Sequence, residues 1–348
     1  MNENQNNVQY YEEVIDLREL IVVLWKRKKM IISLTLIVAI LAGLFSMFVI
    51  SPVYDTKLNI VISMPEKYNT RFGEYTLPIT SNEQYINLIK SNDVLINTIE
   101  DMGYSSEEVS LENLQKSITI GKIDAKANTV QNSFNVTVSA DNPKESLKLA
   151  QTLYSNYLDF MDAMTKERVV SHYSNYFNVE LKALDNDLDQ TKETLKKNEE
   201  LLAQTPQIIV AGKANLEIQT QLNESTDYVV PVDTVNPNYI KIENDIVVNK
   251  QSINNIENSM RMYNNYLKEL EIERQAINKY YRTGEAERLE STLSGVVETS
   301  VYLPSAPVAP TQKTSPSNAL NTAIGAVLGG MLGVMIALLQ EYWVKEKK

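Results

Sequence analysis

Aspartates alternate at Asp185, Asp187 and Asp189, the spacing with which a calcium loop begins. Such a loop needs glycine at its sixth position and glutamate at its twelfth, where this chain has Gln190 and Lys196. The trio therefore predicts a solvated face of a helix. His172 is the only histidine, and there is no cysteine. Without a second imidazole or a thiolate it predicts a surface or inter-helix packing role, and disulfide frameworks are excluded. Glu12/Glu13 and Glu199/Glu200 are adjacent pairs, which face different sides of a helix and share a proton poorly. There is no G-x-x-x-x-G-K-[ST], G-x-G-x-x-G or G-x-S-x-G. The sequence predicts no catalytic residues, no metal site and no cofactor. A formal charge of −11 without a basic stripe argues against nucleic-acid binding. Tyr173, Tyr176, Tyr263, Tyr266, Tyr280 and Tyr281 fall on helical stretches. Packing is their expected use, and contact with sugars is the other role that an amphipathic ring suits.

Two apolar stretches frame everything else. Residues 30–50 and 319–339 each run 21 positions without a charge, or roughly 31 Å of helix, enough to cross a hydrocarbon core. The first exceeds the apolar run of a signal peptide and no A-x-A pattern follows, which predicts an uncleaved anchor. Lys26, Arg27, Lys28 and Lys29 precede the first stretch, and Lys345, Lys347 and Lys348 follow the second. The positive-inside rule then predicts a two-pass membrane protein with both termini inside. Segments 1–29 and 340–348 would be cytoplasmic, with the bulk in the periplasm or facing the cell wall. Gly325, Gly329 and Gly333 recur every fourth residue and Ala337 continues the row. Small residues at that period let another helix approach closely. The expected partner is Ala39 and Gly43 of the first span, or a neighbouring subunit.

Between the spans, residues 56–62, 117–122 and 133–140 alternate β-branched or apolar residues with polar ones, which predicts half-buried strands. Short helices are expected over 81–90, 93–102 and 106–116, with Gly103 as a stop and Asn92 or Ser106 as a cap. A fourth strand is expected at 296–303. Asp141-Asn142-Pro143 opens a long helix in which Leu181, Leu184, Leu188, Thr191, Leu195, Asn198 and Leu202 keep a 3-4 spacing. After Asn236-Pro237 a second run places Ile246, Asn249, Ile253, Ile256, Met260, Tyr263, Leu267, Leu270, Arg274, Ile277 and Tyr281 on one seam. The two runs predict an antiparallel hairpin over 141–290 with its tip at about 207–238. Pro304, Pro307, Pro310 and Pro316 predict a stiff polyproline II connector into the second span. The expected class is an α+β membrane protein with two terminal transmembrane helices. Its α/β domain, residues 51–140 and 291–318, holds a small sheet near the membrane and carries the coiled-coil hairpin.

This order resembles the Wzz-type polysaccharide co-polymerases, or chain-length determinant proteins. The resemblance lies in Ile15-Asp16-Leu17-Arg18-Glu19-Leu20 and Leu24-Trp25-Lys26-Arg27-Lys28-Lys29 before the first span, and Ser51-Pro52-Val53-Tyr54 after it. It continues in Asp141-Asn142-Pro143 and Asn236-Pro237-Asn238-Tyr239, and is strongest in Ala306-Pro307-Val308-Ala309-Pro310 and Ser315-Pro316-Ser317 before a glycine-rich helix. It implies a homo-oligomeric ring in the bacterial cell (inner) membrane, without an active site. Such a ring acts with a Wzy-type polymerase on a growing glycan, in membrane lipid, to set chain length in O-antigen, capsule or exopolysaccharide biosynthesis. The alternative is a transmembrane adaptor or activator of a separate cytoplasmic tyrosine kinase in capsule export, disfavoured by the nine residues after the second span. A two-span sensor is disfavoured because neither flank is long enough for a signalling domain.

Overall fold

The computed structural model describes residues 17–105, 109–121, 132–209, 234–284, 293 and 295–346. The chain divides into two compact units. The first comprises Met1–Ile62, Tyr85–Asn156 and Tyr302–Lys348, and the second Ser63–Gln84 and Tyr157–Val301.

In the first unit, α1 (Leu17–Lys26) and α2 (Lys28–Phe48) lead to strand β1 (Tyr54–Ile62). β1 pairs antiparallel with β5 (Ser133–Ala140), and β4 (Ile118–Ile120) pairs antiparallel with β5 on its other side. With β8 (Val301–Tyr302) the sheet order is β4-β5-β1-β8. The register explains why the alternating residues point inward together. Leu58 faces Val136 and Ile60 faces Phe134, and Leu58, Ile60, Ile62, Phe134, Val136 and Val138 are all buried. α3 (Asn82–Asn87), a 3-10 turn (Leu88–Lys90), α4 (Asn92–Met102) and α5 (Leu111–Ser117) supply the short helices. Gly103 ends α4 in the left-handed conformation, φ 74°. The cap of α4 is Ser91 rather than Asn92, which lies one residue inside the helix. Ser106 lies outside the described residues. At the other end of the unit, α9 (Asn318–Glu346) closes the chain. Lys28–Phe48 and Asn318–Glu341 are long and apolar enough to cross a membrane.

The long helix α6 (Pro143–Gln204) starts where the sequence indicates. Pro143 occupies the first helical position, Asn142 Oδ1 accepts from Glu145 N at 2.8 Å, and Asn142 Nδ2 donates to the Glu145 carboxylate at 2.7 Å. The helix runs 62 residues, about 93 Å at 1.5 Å per residue, and carries the chain from the first unit into the second.

The second unit holds the hairpin. α7 (Pro237–Thr283) is capped by the Asn236 side chain, which accepts from Asn238 N at 3.0 Å. The two helices run antiparallel. Tyr281 donates to Glu167 (3.2 Å), Arg274 to Ser174 (3.1 Å), Lys192 lies 3.9 Å from Glu257, and Lys250 lies 3.0 Å from Glu199. Numbers fall on α7 as they rise on α6. At the far end β6 (Ile208–Ile209) pairs with β7 (Thr234–Val235), and residues 210–233 of the expected tip lie outside the described residues.

A correction concerns residues 296–303. The structure forms a helical turn, α8 (Val297–Ser300), before the two-residue β8. Val296, Val297, Ser300 and Val301 are all buried. Adjacent buried pairs four residues apart suit one turn of helix, whereas a strand would turn alternate residues outward.

Candidate functional site

Among the described residues, the sequence's chemical candidates are not brought together at one centre. Asp185, Asp187 and Asp189 are exposed on α6. Among the described residues no group of three or more His, Cys, Asp or Glu is placed to hold a metal ion. His172 is exposed, and its ring meets Tyr75 edge-on at 5.2 Å and Tyr173 at 4.9 Å. Glu199 pairs with Lys250, and Glu12 and Glu13 lie outside the described residues. What the chain builds instead are two helix pairs, each with its own means of holding register.

The first pair is α2 with α9. A Cβ on Gly325 would stand 2.5 Å from Ala42 Cβ and 3.2 Å from Val38 O, and one on Gly329 3.0 Å from Thr35 Cα. On Gly333 it would meet Ile31 Cα at 3.1 Å. Ala337 is fully buried. The glycine row thus lies against Ile31, Thr35, Val38, Ala39 and Ala42 of the same chain, while Gly43 meets Thr322. Polar groups close both ends. Asn321 donates to Ser46 Oγ (2.8 Å), and Ser46 (3.1 Å) and Lys313 (3.0 Å) donate to Asn318 Oδ1. At the other end Arg27 donates to Gln340 (2.6 Å) and Glu341 (3.1 Å), and Lys26 lies 3.7 Å from the same carboxylate. Of the proline motif, Pro304 is exposed, Pro307 and Pro310 are half-buried and Pro316 is buried after a cis bond. Ser315 O accepts from Val53 N at 2.8 Å, fixing the connector beside the end of the first span.

The second pair is α6 with α7. On α6 the seam Leu181, Leu184, Leu188, Thr191, Leu195, Asn198 and Leu202 is wholly or half buried. On α7 the expected seam holds from Ile246 to Leu270 and again at Ile277, and it departs at two positions. Glu273 and Tyr280 are buried, whereas Arg274 and Tyr281 are exposed. The expected places of Arg274 and Tyr281 are corrected by one helical position.

A feature that the sequence did not reveal pins this pair. Strands β2 (Lys67–Thr70) and β3 (Gly73–Thr76) form a hairpin whose turn carries Arg71 and Phe72. Phe72 packs against Tyr173 (5.6 Å between ring centroids) and Phe177 (5.9 Å) of α6, and Tyr266 (5.4 Å) of α7. Phe177 stacks on Tyr263 at 5.1 Å. Arg71 forms an ion pair with Glu269 at 2.9 Å, and Tyr173 Oη donates to Glu74 O at 3.0 Å. Gly73 takes φ 140° with the Tyr173 hydroxyl 2.9 Å from where a Cβ would stand, so a side chain is barred twice, by backbone and by space. The legible signal was weak: Tyr68 and Tyr75 face each other across Arg71-Phe72-Gly73, but the flanks are polar. Burial pushes the Tyr75 and Tyr263 hydroxyls above their ordinary value. In the first unit Tyr104 is pushed up further by burial and by its 2.7 Å hydrogen bond to Glu145. These phenols act as neutral donors and packing groups at ordinary pH.

Among proteins of known kind, a capsular polysaccharide biosynthesis protein of Bacillus subtilis (strain 168), YwqC, qualified as probable, is 25% identical over 149 residues. The match covers 42% of this chain, which spans 57% of that relative's length. A full-length bacterial polysaccharide co-polymerase aligns over 95% of this chain and 99% of its own, at 16% identity and a TM-score of 0.42. The Shigella flexneri lipopolysaccharide O-antigen chain-length regulator WzzB aligns over 74% and 99%, at 10% identity and a TM-score of 0.30. The proline-rich motif lies outside the stretch that the family model matches. Residues 13–102, which take in both flanks of the first span, match the model of the Wzz chain length determinant proteins.

Proposed function

We propose that this chain is a non-enzymatic membrane regulator of polysaccharide chain length, acting as an oligomer beside a Wzy-type polymerase and its growing glycan. The observation that carries the reading is the family match across the first apolar helix and the strand after it. Its support is architectural. Two apolar helices near the two ends bracket a sheet and a long, pinned helical hairpin. A stiff, repeated projection offers many weak contacts to a long polymer, and summed weak contacts sense extent better than a single pocket does. In this reading both termini are cytoplasmic and residues 51–318 lie outside. The chain divides as 51–140 with 291–318 for the α/β domain and 141–290 for the hairpin. The glycine row and the proline connector hold the membrane pair.

The test is the length distribution of surface glycan on gels from a deletion strain and from one complemented with this chain. A modal length that is lost and then restored is expected. An unchanged distribution contradicts the function, and restoration only through capture of a cytoplasmic tyrosine kinase would favour the adaptor reading.

A further inference from the structure

The exposed face of the first span does not stop where the span does. Outward along α1 and α2 lie Ile21, Val22, Trp25, Lys28, Lys29, Ile32 and Leu36, a single helical stripe by spacing. Ile32 and Leu36 belong to the segment that fills a hydrocarbon core, since Lys28–Phe48 already has the length required. Ile21, Val22 and Trp25 are then placed about 4–10 Å beyond its edge, yet they are 63%, 59% and 71% exposed. Apolar side chains one to two turns past a span suit the headgroup region, where tryptophan is characteristically found.

The charges complete the pattern. The helical run is interrupted at Arg27, φ −101° and ψ 14°. Residues 26–29 set four cations there, and Glu341 is the carboxylate that pairs with them among the described residues. Arg27 is engaged by Gln340 and Glu341. Lys26, Lys28 and Lys29 remain exposed, and Lys28 Nζ stands 4.6 Å over the Trp25 ring. Tying Arg27 to α9 leaves the three lysines displayed at a fixed height beside an apolar stripe.

We propose that α1 and the lysines at 26, 28 and 29 form a docking site for anionic phospholipid headgroups. The lysines would take the phosphates, and Ile21, Val22 and Trp25 would enter the upper acyl region. This rests on reading the terminal helices as spans. The lysine arrangement, not the spans, supplies the selectivity.

The test uses the full chain with Trp343→Phe, which leaves Trp25 as the only tryptophan, in phosphatidylcholine vesicles containing brominated phosphatidylglycerol or brominated phosphatidylcholine. Vesicle flotation checks incorporation. Brominated phosphatidylglycerol should quench Trp25 about fivefold more strongly, the size of one lysine's attraction to an anionic surface. Lys26→Gln, Lys28→Gln and Lys29→Gln together should remove the difference, and added inorganic phosphate should not. Equal quenching by both lipids, no quenching in a protein that floats, or relief by inorganic phosphate would each overturn the headgroup site. A protein that fails to float removes the membrane reading itself, and this proposal with it.

Discussion

The two helix pairs reach the same end by opposite means. Between α2 and α9 the side chains are small, and Gly325, Gly329 and Gly333 bring backbone within van der Waals reach of backbone. Between α6 and α7 the seam is filled with leucine, isoleucine and tyrosine, with Phe72 added from a separate hairpin. The difference follows from the surroundings for which each is suited. Water drives large apolar side chains together, so a seam of leucines is held by burial. A lipid tail is as apolar as leucine, so helices there gain by close packing and polar end contacts. The Ser46–Asn318–Asn321 and Arg27–Glu341 groups are such contacts.

Reversing the residue size in each pair breaks the comparison most sharply. Leu270 is fully buried on α7, and Leu270→Ala should cost about 3–4 kcal/mol, read as a lower unfolding midpoint in detergent solution. Gly329→Leu makes the opposite change and should cost about 2–3 kcal/mol, because the new side chain meets Thr35 backbone and not a flexible tip. Its readout is the disulfide between Thr35→Cys and Gly330→Cys, positions that a 3.6 Å approach brings together, and the cross-link should be lost. Phe72→Ala removes the half-buried pin and should cost about 2 kcal/mol. Hydrogen exchange near Tyr173 and Tyr266 should rise while the α2–α9 cross-link is unaffected.

The smallest effect expected is alkaline. Burial raises the pKa of Tyr75, Tyr104, Tyr154 and Tyr263 above the ordinary 10.0. The folded chain therefore holds these protons more tightly than the unfolded one. The stabilisation is complete below about pH 10 and lost as pH rises through the raised values. A melting series across that range should show the decline, and Tyr104→Phe should make it shallower.

How far the sequence could be read differs between regions for physical reasons. The α6 seam was legible to the residue from 181 to 202, because one narrow apolar stripe separates two polar faces there. The α7 seam was legible to Leu270 and again at Ile277, but not at the two positions between and beyond them. There burial selects Glu273 and Tyr280, and a pattern search passes over a glutamate because carboxylates are seldom buried. The β2–β3 hairpin was missed since, among Lys67, Asn69, Thr70 and Glu74, the Tyr68–Tyr75 pair is all the apolar face it has. Its role lies in the one ring at its turn, whose partners are about a hundred or more residues away. The glycine row was visible by its period, but its partner among Ile31, Thr35, Val38 and Ala42 was not, because any small-residue face accepts many neighbours.

The topology is tested most directly by single thiols, since the chain has no cysteine of its own. Lys196→Cys places one on the exposed face of α6, and Asn2→Cys and Lys348→Cys place one at each tail. An impermeant maleimide applied to intact cells or spheroplasts is expected to label position 196 and to reach the tails only after permeabilisation. Labelling of either tail in sealed cells, or protection of position 196, would contradict a chain anchored at both ends with its folded mass outside.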